Sequence, residues 1–190
     1  KPALMLCSLN SDEERSARKG RPERSTLHQL VSDFPPLGDG YHLVGRLDRD
    51  SEGLLLLSQD GQFTATVLSG GCHKTYWALV QGDPTESALD QMRRGGLNIR
   101  GATTKPPISV TKLVLAKETL LAAPALGMDR PGTWIEIVLN EGRNRQVRRT
   151  TAAAGHATIR LVRVAIGRLR CGDLQPGEWK YIDPDDVLSA

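Results

Sequence analysis

Cysteine, aromatic residues, long apolar runs and clustered histidines are all scarce in this chain of 190 residues. The three cysteines, Cys7, Cys72 and Cys171, lie far apart. An odd number without metal-type spacing argues against a disulfide framework and a cysteine-based zinc site, and fits a reducing compartment. The four histidines, His28, His42, His73 and His156, also lack ligand spacing, so no metal centre is expected. Aromatic residues make up 4% of the chain, which argues against a surface that stacks on several successive bases. Apolar runs such as Leu54–Leu57 fall far short of the ~20 residues of a membrane span. Lys1-Pro2 opens no signal-peptide pattern, so a cytoplasmic protein with no membrane partner is expected.

What remains is the composition of a folded domain, 39% hydrophobic and 25% charged, long enough for one core. Twenty-five Lys and Arg against 22 Asp and Glu give a net charge of +3, but the charge is unevenly spread. Between Glu141 and Arg170 the positive residues are Arg143, Arg145, Arg148, Arg149, Arg160, Arg163, Arg168 and Arg170, and Glu141 is the lone acid. A second basic patch, with acids mixed in, holds Arg15, Arg18, Lys19, Arg21 and Arg24. Arginine predominates in both, and its planar fork suits bidentate contacts to phosphate.

Short alternating or apolar runs predict strands at Ala3–Cys7, Tyr41–Val44, Leu54–Ser58, Thr75–Val80, Ser109–Leu115, Thr133–Leu139, Ile159–Ala165 and Trp179–Ile182. Helix signals are fewer. Ser25 or Thr26 can cap Leu27–Ser32, and Asp60 can cap Phe63–Leu68. Asp83-Pro84-Thr85-Glu86 predicts a start with Asp83 as N-cap, running to Arg94 and ending at Gly95-Gly96. A fourth helix is expected over Asn144–Ala154, ending at Gly155. Strands with interspersed helices indicate an α+β fold. The stretches Asn10–Arg24 and Lys117–Gly132 read as loops.

Three segments carry chemistry. Gly45-Arg46-Leu47-Asp48-Arg49-Asp50-Ser51-Glu52-Gly53 is a charged loop between apolar strands, with glycines at both ends that permit unusual backbone angles. Asp48 lies between Arg46 and Arg49. A guanidinium nearby favours the ionised carboxylate and keeps it available as a nucleophile, although a surface turn would carry the same pattern. In Glu141-Gly142-Arg143-Asn144-Arg145-Gln146-Val147-Arg148-Arg149, a helix opened by Asn144 would project Arg145, Arg148 and Arg149 from one face. Those guanidiniums need anions, either a phosphate backbone or buried carboxylates, unless the helix is simply solvated. The strand Lys74-Thr75-Tyr76-Trp77-Ala78-Leu79-Val80 sets Lys74, Tyr76 and Ala78 on one face.

Taken in order, Gly45–Asp48, Lys74–Tyr76 and Glu141–Arg149 resemble the three sequence motifs of RNA pseudouridine synthases, and Gly155–Arg163 resembles that family's closing motif. Lys1-Pro2 and Gly20-Arg21-Pro22 before Thr26-Leu27 fit its opening strand and loop. The chain is most similar to the ribosomal RNA branch, and within it to the large subunit synthase E group, whose members lack an N-terminal S4 RNA-binding domain. The resemblance implies one catalytic domain over residues 1–190, a mainly antiparallel mixed sheet bent into two lobes, and no metal or organic cofactor. It also implies a ribosomal RNA partner, and a monomer is expected. By the same resemblance Asp48 is the aspartate that attacks the target nucleotide, at C1′ of the ribose or C6 of the base. Tyr76 stacks on the flipped base, Arg148 pairs with the aspartate and Leu161 packs beside the uracil. Arg46, Arg49, Lys74, Arg143, Asn144, Arg145, Gln146, Arg149 and Arg163 bind or position the RNA. Cys72-His73 departs from the more basic, glycine-containing turn that usually precedes the second motif. A non-catalytic RNA-binding or assembly factor could share the basic cleft, but would need neither Asp48 nor Tyr76. A small-subunit or transfer RNA target is equally compatible with motifs that describe chemistry rather than RNA shape.

Overall fold

A computed structural model describes residues 40–114 and 132–188. The expected strand at 3–7, the helix at 27–32, the basic patch at 15–24 and the loop at 117–131 lie outside the described residues. In chain order the elements are β1 (His42–Val44), β2 (Glu52–Gly53), β3 (Leu56–Ser58), α1 (Gly61–Thr66), a wider π-type turn at Val67–Gly71, and β4 (Lys74–Gln81). Then come α2 (Glu86–Arg94), β5 (Asn98–Ile99), β6 (Ala102–Thr103), β7 (Ser109–Lys112) and β8 (Gly132–Leu139). The C-terminal part adds α3 (Gln146–Ala153), β9 (Thr158–Ile166), β10 (Leu169–Arg170) and α4 (Asp185–Leu188).

The alternating strand around Tyr76 becomes the middle of the main sheet. β4 pairs antiparallel with β8 on one side and β9 on the other, β7 extends the sheet beyond β8, and β10 pairs with the end of β9. One pair is parallel: β2 lies along β9 with Glu52 opposite Val162 and Gly53 opposite Arg163. The fold is therefore α+β with a mainly antiparallel but mixed sheet.

Residues two apart on a strand share a face. On one face of the sheet, Ala78 and Val80 of β4, Ile135 and Ile137 of β8 and Leu161 of β9 form a buried cluster with Leu89 and Met92 of α2 and Val147 of α3. A second cluster joins Val44, Leu54, Leu56, Phe63, Val67, Cys72 and Val187 to Ile166 at the end of β9. Each fully buried side chain of this size contributes roughly 1.5–3 kcal/mol, and both clusters are anchored on the strand that also holds β2.

Three expectations need correction. Residues 179–182 form no strand. Trp179 and Tyr181 instead meet edge to face with ring centroids 5.3 Å apart, after a turn closed by Gln175 and Glu178 through N–H to Oε2 and N–H to O bonds of 2.8 and 3.0 Å. The N-cap of α2 is Thr85, whose Oγ1 accepts from Ala88 N–H at 3.3 Å. Asp83 is occupied elsewhere, accepting from Lys112 Nζ at 2.7 Å and Thr133 Oγ1 at 3.1 Å. Finally, α3 begins at Gln146 rather than Asn144, because Arg145 takes a left-handed conformation with φ +53°. Asp60 does cap α1, accepting from the N–H groups of Gln62 and Phe63.

The close approach of β2 to β9 requires glycine. Gly53 has φ +104°, and a Cβ there would sit 2.3 Å from the Arg163 carbonyl oxygen. Gly53→Ala is expected to destabilise the protein by about 2–3 kcal/mol, from left-handed strain plus the forced separation of the two strands. Chemical denaturation should show this as a lowered midpoint at unchanged slope, and an unchanged midpoint would contradict the strand pairing.

Candidate active site

The parallel β2–β9 contact determines what the charged loop can reach. Gly45, at φ +75°, and Gly53 bracket the loop, and Ser51 N–H donates to Asp48 O at 3.0 Å to close its turn. Beyond that turn, alternate acids meet arginines of the C-terminal half.

Asp50 holds two of them. Arg145 grips its carboxylate with both ends of the fork, Nη1 to Oδ1 at 2.9 Å and Nη2 to Oδ2 at 2.8 Å. Arg148, one turn further along α3, donates from Nη2 to the Asp50 carbonyl oxygen at 2.6 Å and from Nη1 to Thr158 O at 3.1 Å. Its Nε lies 3.4 Å from Asp50 Oδ2. The bond from Arg145, with the nearby Arg148 charge, holds the Asp50 carboxyl below the ordinary aspartate range. Burial pulls Arg148 below the usual arginine range, opposed by the Asp50 charge. Two residues further on, Glu52 and Arg160 form a buried bidentate pair, Nε to Oε1 at 2.8 Å and Nη2 to Oε2 at 2.9 Å, with side chains 11% and 4% exposed.

Asp48 is treated differently. Its carboxylate is 28% exposed and comes within 3.8 Å of Arg145 Nη1, and among the described residues no hydrogen bond reaches it. The guanidinium nearest Asp48 is thus that of Arg145, while Arg148 lies against Asp50.

The sheet supplies the neighbouring surface. Tyr76 of β4 is half-buried and packs against the main cluster. Across the β4–β9 seam Tyr76 is opposite Arg163, and Ala78 is opposite Leu161. Arg163 is buried, donating from Nε to Leu54 O at 2.9 Å, and its Nη2 has no hydrogen-bond partner among the described residues. Lys74 is buried too, with Nζ on Val67 O at 2.8 Å. Burial is the main cause of its lowered pKa, and the Arg163 charge adds to it.

The arginine-rich turn before α3 is shaped by Glu141. Its Oε1 accepts from Gln146 Nε2 at 2.8 Å and from Lys105 N–H at 2.8 Å, and its Oε2 accepts from Arg143 Nε at 3.1 Å. Gln146 in turn accepts from Arg143 N–H through Oε1 at 3.1 Å. Asn144 lies within this turn, half-buried. Arg46, Arg49 and Arg149 are exposed, so the three arginines expected on one helix face divide: Arg145 and Arg148 turn to the acidic loop and Arg149 to solvent.

The structure therefore gathers Asp48, Arg145 and Arg148 around Asp50, and Tyr76, Leu161 and Arg163 on adjoining strands. A search for nucleophiles and phosphate-binding residues passes over Asp50, Glu52, Arg160 and Glu141. The signal for the first two was present, since Asp48, Asp50 and Glu52 alternate at the period of an extended chain. Among the described residues no group of histidine, cysteine and acidic side chains is placed to hold a metal ion, and no helix is long and apolar enough to cross a membrane.

The architecture is that of a pseudouridylate synthase: a crystal structure of such an enzyme matches with a TM-score of 0.71 and 28% identity, covering 98% of this chain and 69% of that one. The chain belongs to the RNA pseudouridylate synthase family, whose model matches residues 1–153. It is 45% identical over 177 residues to the ribosomal large subunit pseudouridine synthase E of Xanthomonas campestris pv. campestris, covering 90% of each chain. It is 41% identical over 165 residues to that of Vibrio parahaemolyticus, covering 81% of this chain and 65% of the relative. It thus spans just under two thirds of the Vibrio relative's length.

Two outcomes test this geometry. Glu52→Gln should cost about 3–5 kcal/mol in chemical denaturation, because it strands the buried Arg160 charge. Replacing both partners, Glu52→Leu with Arg160→Met, should cost much less. A loss from the pair replacement as large as from the single change would contradict the account. The depressed Asp50 carboxyl contributes stability that is full above the unfolded aspartate value of ~3.9 and disappears as pH falls through its lower folded value. The stability gap between the parent and Asp50→Asn should therefore be constant from pH 7 to about 4.5 and close in stronger acid. A gap that widened on acidification would contradict the ion pair.

Proposed function

We propose that this chain is an isomerase that converts a uridine of large-subunit (23S) ribosomal RNA to pseudouridine without metal or cofactor, with Asp48 as nucleophile. The observation that carries the reading is the unequal treatment of the loop acids. Asp50 and Glu52 are saturated by guanidinium bonds, whereas among the described residues the partly buried Asp48 carboxylate accepts no hydrogen bond and has Arg145 3.8 Å away. A carboxylate that is ionised but not hydrogen-bonded is the form best suited to attack carbon. The family and its large-subunit relatives supply the substrate class.

The chemistry then follows from the residues. Asp48 bonds to the target nucleotide at C1′ of the ribose, displacing N1 of uracil with the bonding pair, or adds to C6 of the base. On the C6 route the C5=C6 pair moves onto the C4 carbonyl oxygen, after which the N1–C1′ bond cleaves with its pair going to N1. The uracil turns so that C5 faces C1′, the C5–C1′ bond forms as the Asp48 linkage is released, and C5 gives up its proton while N1 gains one. Arg145 and Arg148 hold positive charge beside the reacting carboxylate. Tyr76 and Leu161 flank the flipped base, which must leave its stack to reach Asp48. Arg46, Arg49, Arg143 and Arg149, with Asn144 and Gln146 shaping their turn, position the RNA backbone. The buried Lys74 and Arg163 add positive potential beneath it.

Tritium release from C5-labelled uridine in ribosomal RNA tests the reading. The parent should release tritium with no metal or cofactor added, and Asp48→Asn should release none while binding RNA to within a few-fold of the parent. Turnover by a clean Asp48→Asn protein would overturn the nucleophile. Tight binding without release from large-subunit RNA, small-subunit RNA and assembly intermediates would favour a non-catalytic RNA-binding factor.

A further inference from the structure

The hairpin that follows α2 has no part in the chemistry above, yet it is built as a rigid arm. β5 and β6 pair antiparallel, Asn98 with Thr103 and Ile99 with Ala102, around a two-residue turn of Arg100 and Gly101 at φ +54° and +82°. Two successive positive φ values make a type I′ turn, in which Asn-Gly is the favoured pair. Asn98 Oδ1 accepts from Gly101 N–H at 3.0 Å. The base is locked: Thr104 exchanges bonds with Leu97 at 2.8 and 3.0 Å, Gly96 N–H donates to Thr104 O at 3.0 Å, and Ile99 is buried. Gly95 is pressed against the strand exit, where a Cβ would sit 2.7 Å from Lys105 O.

Two features give this arm a partner. Among the described residues, the non-glycine positions at positive φ are Arg100 and Arg145. Arg145 is held there by its fork on Asp50. Arg100 is exposed, and among the described residues its guanidinium has no hydrogen bond or ion pair to offset the unfavourable conformation. The arm is also joined to the arginine-rich turn, since Lys105 N–H donates to the same Glu141 oxygen that receives Gln146 Nε2. Arg94 and Lys105, at the two ends of the arm, are exposed and have no counter-ion among the described residues. Arg93, by contrast, is taken up by Glu86, Asp90 and the Val110 carbonyl.

We infer that Arg94, Arg100 and Lys105 form a second, preorganised RNA-backbone contact, continuous through Glu141 with the turn that carries Arg143 and Arg145. The inference rests on the RNA-modifying reading of the site and adds a surface that grips phosphates flanking the target nucleotide. A strained arginine at the tip of a rigid turn loses little freedom when it meets an anion, which favours contact over solvation.

The test uses equilibrium binding to in vitro transcribed 23S ribosomal RNA, with every variant made in an Asp48→Asn background to suppress turnover. Arg100→Asn suits the turn better than arginine does, so its denaturation midpoint should be equal or higher. Its affinity at ~0.1 M salt should nevertheless fall three- to tenfold, and the slope of log K against log salt should become shallower by about 0.7–0.9. Arg94→Ala, on a helix that tolerates alanine, should give a similar loss without touching the turn. Combining Arg94→Ala, Arg100→Asn and Lys105→Ala should reduce the slope by about 2–3. Affinities and slopes matching the background protein would overturn the inference while leaving the proposed reaction intact, provided the parent releases tritium. A parent that neither binds the RNA nor releases tritium would overturn both.

Discussion

Everything at the site depends on one short parallel contact, β2 against β9. A parallel pair normally needs a long crossover, and here the chain between the two strands builds most of the protein. The contact places three alternate acids of a loop near residue 50 beside arginines from 145 to 160. Asp48, Asp50 and Glu52 carry three negative charges, and Arg145, Arg148 and Arg160 three positive ones. Their proximity neutralises what would otherwise be a strongly repulsive segment, and it settles which cations remain for an anionic partner. With Arg143 taken by Glu141, much of the basic stretch between Glu141 and Arg170 is internal structure. The surplus that faces solvent includes Arg46, Arg49, Arg149, Arg168, Arg170 and the hairpin.

The bonding along this ladder, rather than its depth, sets its division of labour. Glu52 and Arg160 are deepest and most fully bonded. Their pair contributes specificity of register more than net stability, because desolvating two ions offsets much of their attraction. Asp50 is the most exposed of the three acids and clamps both the turn and the first turn of α3. Its bonds help to hold Arg145 in a left-handed conformation that an L residue adopts reluctantly. Asp48, less exposed than Asp50, carries the least bonding. A gradient from committed to uncommitted carboxylate is a physical route to one reactive group among three chemically similar ones.

Much of this was legible in the sequence. The strand around Tyr76 and the β-branched run before Asn140 announce themselves by period, because both are half- or fully buried for their whole length. The cap at Asp60 and the glycine stop after Arg94 follow from backbone hydrogen-bond demand alone. What failed had a common cause. Asp83 is a good N-cap by type, but the strands bring Lys112 and Thr133 to it and Thr85 caps instead. Trp179 and Tyr181 alternate like a strand, but their rings meet edge to face and no strand among the described residues pairs with them. Arg145 has ordinary helix propensity and is drawn out of the helix by Asp50, 95 residues away in sequence. Local chemistry predicts local structure; long-range ion pairs override it at the ends of elements, where one dihedral costs little to change. The proposal of Asp48 as nucleophile came from its place in a family motif, whereas the bonding of Asp50 and Glu52 emerged only with the pairing of β2 and β9.

The central claim is that one acid of the three, Asp48, is the group that bonds to RNA. Its most direct test is to quench the protein rapidly in denaturant during a single turnover on 23S RNA, while the covalent linkage still stands. Digestion with nuclease and protease, followed by mass spectrometry, then locates the added nucleotide on the peptide. The account predicts the adduct on the Asp48 carboxylate, with Asp50 and Glu52 unmodified. An adduct on Asp50, or on a residue outside this loop, would contradict it.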